Sequence, residues 1–217
     1  MALAIFDLDD TLIDGDCATL WSHELVNLGW VDGDSFLAHE QILMQQYAAG
    51  TLAMEDYMAY TLAPLVGRSA EEVAHVVEPF VENVIEPLIY SDAMRCLAAH
   101  RAAGDRLLII SASSHFLVSA IGERLGVEEV LAINLELQHG FYTGRTQGTL
   151  TYREGKITRL KQWLGETGES MEGASFYSDS RNDLPLLSLV DHPHAVNPDP
   201  LLREQAQARG WPVLDWR

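Results

Sequence analysis

ALAIFDLDDTL, residues 2–12, runs from a short apolar, β-capable stretch straight into three aspartates within four positions, Asp7, Asp9 and Asp10. Carboxylates so crowded repel one another and raise each other's pKa. Gathering them at the tip of a buried strand calls for a cation to offset the charge. Similar apolar runs recur along the chain as RLLIIS (106–111), EVLAINLEL (129–137), ASFYSD (174–179), HAVN (194–197) and PVLDW at the end. Between them lie stretches with helical apolar spacing. SDAMRCLAAHRAAG stops at Gly104, SHFLVSAIGERLG stops at Gly126, and GKITRLKQWLGETG is expected to stop near Gly165. Strands alternating with helices predict an α/β fold, a mostly parallel sheet covered on both faces. HGFYTGRTQG, rich in glycine and aromatic residues, reads as an antiparallel excursion.

The interval from about residue 15 to 90 is different. CATLWSHELVNLGW, DSFLAHEQILMQQYAAG, MEDYMAYTLAPLVG and SAEEVAHVVEPFVENVI all carry apolar residues three and four apart. Ser69 followed by Glu72 predicts a capping box at the start of the last one. This reads as a helical module inserted after the first strand.

Composition narrows the function. The 217 residues are 47% apolar and 21% charged, ordinary for a globular protein, and room enough for one α/β unit with an insertion. The formal charge of −18 argues against nucleic acid or an anionic membrane as partner. No apolar run is long enough to span a bilayer, and MALAIFDLDD lacks the basic region and cleavage site of a secretory signal, so a cytoplasmic location is expected. Cys17 and Cys96 have no metal-ligand spacing and are expected to be free thiols.

Ligands of an open parallel sheet bind beyond the carboxyl ends of its strands, and three polar clusters fall there. They are Asp7, Asp9, Asp10 and Thr11; SASS, Ser111 to Ser114; and SDSRND, Ser178 to Asp183. Lys156 opens a helix between the second and third. Asp7, Asp9 and Asp179 offer hard oxygen ligands with no nearby His or Cys, which suits Mg²⁺. Ser111 can donate to a phosphoryl oxygen and also cap the next helix; small Ala112 lets backbone N–H groups approach an anion. With Lys156 as a point cation, the set fits phosphoryl transfer, whose transition state spreads charge over equatorial oxygens. A carboxylate beside the metal can act as the nucleophile.

In order along the whole chain, the D-x-D-x-T of Asp7–Thr11, the serine after LLII, Lys156 and SDSRND resemble the four motifs of the haloacid-dehalogenase-like (HAD) phosphohydrolases. The insertion sits where the cap of the phosphoserine-phosphatase-like subfamily sits. The resemblance implies a three-layer Rossmann-like core over residues 1–14 and 86–217, with an all-helical cap over 15–85. It implies Asp7 as nucleophile and metal ligand, and Asp9 as general acid, then base, giving its backbone carbonyl to the metal. Ser111 and Lys156 would hold the phosphoryl group. Asp179 would bind Mg²⁺ directly, Asp183 through water or from behind, and Asn182 would contact the phosphoryl group or orient that shell.

The phosphoserine phosphatases that the chain resembles bind the substrate ammonium through an acidic residue nine positions after the nucleophile, here Asp16. Their cap arginine for the substrate carboxylate aligns with Thr61, and no Lys or Arg lies between Glu24 and Arg68. An unpaired carboxylate in such a pocket costs about 2–5 kcal/mol. The expected substrate is therefore a small phosphorylated metabolite bearing an amine and no carboxylate, histidinol phosphate first among them. Phosphoserine hydrolysis, phosphotransfer to another hydroxyl, and a non-enzymatic phosphate-binding regulatory module are the alternatives. Monomer and homodimer both stay open. Trp21, Trp30, Tyr47, Tyr57 and Tyr60 are expected in the cap core, one of them able to stack on an imidazole. Thr19 and His23 could face the cleft one and two turns beyond Asp16, His115 is expected in a first helical turn, and Arg181 is expected to face solvent.

Overall fold

The computed structural model describes residues 2–217. Leu3–Phe6 forms β1, buried at every position, because both faces of the strand are covered. The chain then enters α1 (Cys17–Asn27), α2 (Gly33–Ala49), α3 (Met54–Leu62) and α4 (Ala70–Phe80) without an intervening strand. Ser69 caps α4 by accepting from Glu72 N at 3.0 Å. The reciprocal half of the expected capping box is missing, since the Glu72 carboxylate turns to Arg68 instead. Beyond Pro79 the backbone widens into a π-turn over Val81–Ile85.

The chain continues through α5 (Ser91–Ala103), β2 (Arg106–Ser114), α6 (His115–Leu125), β3 (Glu129–Gln138), β4 (Phe141–Gln147), α7 (Glu154–Thr167), β5 (Ser175–Ser178), the single turn α8 (Leu184–Leu187), β6 (His192–Val196), α9 (Pro200–Arg209) and β7 (Val213–Leu214). Gly104 and Gly126 end α5 and α6 in the left-handed conformation, as the sequence predicts. Helix α7 does not end near Gly165. It passes through that residue and stops at Gly168, which has φ 74°.

The seven strands lie in the order β4-β3-β2-β1-β5-β6-β7. All pairings are parallel except β3 with β4, the antiparallel excursion expected from HGFYTGRTQG. The pleat sends alternate residues to opposite faces. Leu3 and Ile5 join Leu108, Ile110 and Phe176 in one apolar layer, with Leu160 and Trp163 of α7. Ala4 and Phe6 join Ile109 and Tyr177 in the other, which runs without a break into the inserted helices through Trp21, Tyr57 and Phe80. The two connections to the insertion run side by side, Ile13 bridged antiparallel to Ile89. The β3–β4 hairpin supports it from below, with Gly67 N donating to Tyr142 O and Tyr142 N to Arg68 O, each at 2.9 Å. Strand β1 lies centrally with its carboxyl end under the insertion, where the polar clusters meet.

Candidate active site

Asp7 follows the last residue of β1 and is almost fully buried. Its Oδ1 accepts from Leu8 N at 2.9 Å and lies 3.1 Å from Lys156 Nζ. Lys156 reaches the site from the first turn of α7, and its Nζ also donates to Asp183 Oδ2 at 2.8 Å. Ser178 Oγ donates to the same Asp183 oxygen at 2.7 Å. Burial acts to depress the Lys156 ammonium, but the Asp183 and Asp7 carboxylates outweigh it and hold the group above the ordinary lysine range. Burial, followed by the charges of Asp183 and Asp179, pushes the Asp7 carboxyl well up even though Lys156 pulls it down.

Asp9 is held differently. Its Oδ1 accepts from Cys17 N at 2.7 Å, and its Oδ2 accepts from Ser113 Oγ at 2.8 Å and Ser111 Oγ at 3.2 Å. The side chain is thus tied to the start of α1 and the end of β2. Ser111 does not cap α6. Strand β2 runs through the whole of SASS, Ser114 takes the cap position, and Ser111 Oγ accepts from Ser113 N at 3.0 Å. Ser113 was missed by sequence reasoning, although it lies in the quoted cluster; nothing in the sequence distinguishes it from its neighbours. Ala112 lines the cleft beside it.

Thr11 explains its place in D-x-D-x-T. Fully buried, it donates Oγ1 to Asp179 Oδ1 at 3.1 Å and accepts from Asp179 N at 3.0 Å, locking β1's loop to β5's. Burial, then the charges of Asp10 and Asp183, raise the Asp179 carboxyl well above its usual range. Asp10 turns the chain at φ 52° and is itself pushed up to about 6 by burial and by Asp9. Asn182 follows two residues after Ser180, is 5% exposed, and has a buried Nδ2 with no protein partner.

Asp7, Asp9, Asp10, Ser113, Asp179 and Asn182 line one cavity of ≈ 460 Å³ together with Asp16 and, from the insertion, Met44, Tyr47, Ala48, Met54 and Tyr57. Lys156, Asp183, Thr11 and Ser111, the last expected to hold the phosphoryl group, are buried behind that wall and do not line it. Asp16 caps α1, accepting from Thr19 N at 2.7 Å while half-buried at the cavity wall. Burial and the charge of Asp9 push its carboxyl up to about 8. Tyr47 and Tyr57 line the cavity wall; after burial, the charges acting on the Tyr47 phenol are led by those of Asp7, Asp183 and Asp179. Trp21 is buried among Trp30, Phe80 and Phe116, and Tyr60 packs on Phe36. Arg181 does not simply face solvent; it lines the cavity and is the one basic residue to do so among the described residues. Thr19 turns its hydroxyl to Glu40, at 2.9 Å, and neither it nor His23 lines the cavity. His115 opens α6 over a separate groove, and Thr61 lies behind Tyr57.

The donor set fits Mg²⁺. Asp7 and Asp179 are hard oxygen donors whose carboxyls are pushed up first by burial and then by neighbouring carboxylates, a setting that a bound cation would relieve. Among the described residues no group of three or more His, Cys, Asp or Glu side chains is placed to hold a metal ion by itself. Mg²⁺ is commonly held by one or two carboxylates with water and substrate phosphate, and does not require such a group.

The haloacid dehalogenase-like hydrolase family profile matches residues 4–188. Over 219 residues, 99% of both chains, the sequence is 40% identical to a histidinol-phosphatase of Neisseria meningitidis serogroup C (strain 8013). The chain belongs to the haloacid dehalogenase-like hydrolases. A protein of unknown function from Bordetella pertussis Tohama I superposes with TM-score 0.91 at 38% identity, over 99% of this chain and 98% of that one. A phosphoserine phosphatase in the form of a phospho-aspartyl intermediate analogue has TM-score 0.72 at 19% identity, over 98% and 92%, a likeness of fold. Membership in the hydrolase family, with phosphatase-named relatives across the full length, makes the chain a phosphoric monoester hydrolase of HAD type. No helix among the described residues is long and apolar enough to cross a membrane.

Proposed function

We propose that the chain hydrolyses the phosphate ester of a small amino alcohol through an aspartyl-phosphate on Asp7, with residues 15–85 acting as a cap and histidinol phosphate as the leading substrate. The observation that carries this reading is the cavity wall. The core side presents Asp7 and Asn182, with the unpartnered Asn182 Nδ2 and the Lys156 ammonium buried just behind, while the cap side presents Asp16 among Met44, Tyr47, Met54 and Tyr57, none of them basic.

Asp7 Oδ attacks phosphorus, and the bond to the leaving oxygen breaks. Lys156 steadies the attacking carboxylate and the phosphoryl charge together. Asp9 gives its proton to the departing alkoxide, then takes one from the water that attacks the phospho-enzyme. Ser111 and Ser113 orient Asp9 for both steps. Asp7, Asp179 and the Asp9 carbonyl would hold a Mg²⁺, which would neutralise charge on the phosphoryl oxygens when bound. Asp183, whose Oδ2 is engaged by Lys156 and Ser178, acts from behind that shell. A substrate ammonium at Asp16 restores the ionised carboxylate that burial and Asp9 disfavour, and the aromatic and thioether wall suits an imidazole.

Arg181 favours a second reading. It can meet a substrate carboxylate, which phosphoserine has. The test is a panel of phosphate monoesters with purified protein and Mg²⁺. The proposal expects kcat/KM for histidinol phosphate at least about tenfold above phosphoserine, and an Asp16→Asn variant with raised KM for amino-alcohol esters and little change for p-nitrophenyl phosphate. Preference for phosphoserine, lost in Arg181→Met, would establish the second reading instead.

A further inference from the structure

Asn182 leaves one question of geometry open. An amide can present its nitrogen to an anion only if something fixes which end faces the cleft. In this chain that neighbour is Arg153. Its Nε donates to Asn182 Oδ1 at 3.1 Å, and Tyr152 OH donates to the same oxygen at 3.4 Å. With two donors on one side, the amide oxygen is pinned there and Nδ2 is turned away, buried and without a protein partner. The other arm of the guanidinium, Nη2, donates to Gly50 O at 2.5 Å, at the carboxyl end of α2 in the insertion. Gly50 has φ 72°, and a Cβ there would lie 2.8 Å from Arg153 Nη2 and 3.1 Å from Arg181 Nη2, so glycine permits both the turn and the approach. Arg153 itself sits at φ 51°, ψ −121°, a backbone region that costs a non-glycine residue about 1–3 kcal/mol. Its carbonyl accepts from Lys156 N at 3.0 Å, so the strained residue also opens the helix that carries Lys156.

We propose that Arg153 is a positioning residue that aims the Asn182 amide nitrogen at the phosphoryl group and ties the end of α2 to the same loop. The inference rests on the phosphoryl-site reading of Asn182. Arg153 does not touch the phosphate. Its fork sets the amide on one side and the insertion on the other, so the anion site and the position of α2 share one side chain. The fork matters more than the charge, because a primary ammonium cannot reproduce the two directed bonds.

The experiment is a double-mutant cycle read by calorimetric binding of inorganic phosphate in Mg²⁺, with thermal melting as the folding control. Arg153→Met and Asn182→Ala are each expected to weaken phosphate about tenfold, and the double variant to bind no more weakly than Asn182→Ala alone. Arg153→Lys is expected to bind like Arg153→Met. Losses that multiply in the double variant, or wild-type binding by Arg153→Lys or Arg153→Met, would overturn the inference and leave the phosphoryl site standing. A wild-type protein that does not bind phosphate in Mg²⁺ would overturn both.

Discussion

The Nζ of Lys156 stands 3.1 Å from Oδ1 of Asp7, both side chains almost wholly out of water. The ammonium is shared with Asp183 at 2.8 Å, so one buried cation faces two buried carboxylates. Removing it leaves both without compensation. In the presence of a chelator, Lys156→Met is expected to lose about 3–5 kcal/mol of stability by denaturant unfolding, and to lose phosphatase activity. A variant that melts like the wild type would show that the pair is not ionised as described.

Ser113 offers a test of how Asp9 is aimed. Its hydroxyl donates to Asp9 Oδ2 at 2.8 Å from the wall of the cleft. A general acid matters when the leaving group is a poor one. Ser113→Ala is expected to lower kcat/KM, which reports the step that expels the alcohol, by about tenfold to a hundredfold for an alkyl phosphate and by less than about threefold for p-nitrophenyl phosphate, whose leaving group needs no proton. Equal losses on both esters would assign Ser113 a packing role only.

Outside the cavity lining, His194 lies flat on Tyr177, ring centroids 4.3 Å apart, with its Nδ1 buried and unpartnered. Burial, with His192 and His100 nearby, lowers its pKa from 6.5 to about 4. The unfolded chain therefore binds more protons than the folded one between those values. The contribution to stability is intact above pH 6.5 and is lost as pH falls toward 4. His194→Phe, which keeps the stack, is expected to flatten this acid limb of the unfolding profile by about 1 kcal/mol, because water still screens part of the ring. An unchanged profile would place the acid sensitivity elsewhere.

Much of this was legible in the sequence for physical reasons. A strand buried on both faces must be apolar throughout, and the chain must then discharge its polar residues at the strand end, so LAIF and the aspartates announced β1 and the site together. The glycines that end α5 and α6 were readable because only a left-handed residue closes a helix in that way. Gly165 misled for the same reason: glycine permits a stop but does not impose one, and the left-handed residue is Gly168. What escaped were contacts set by distance in space rather than in sequence. Arg153 and Gly50 are 103 residues apart, and Ser113 and Asp9 are 104 apart. Arg181 reads as a surface arginine until α2 is folded over it.

The Asp7 carboxylate oxygen is the proposed acceptor of the phosphoryl group, and acid quenching in the steady state tests this most directly. With Mg²⁺ and ³²P-labelled substrate, followed by peptide mapping, label is expected on the peptide containing Asp7 and absent in Asp7→Asn, whose turnover should fall by at least about a thousandfold. Label on another residue, or undiminished turnover by Asp7→Asn, would contradict the account.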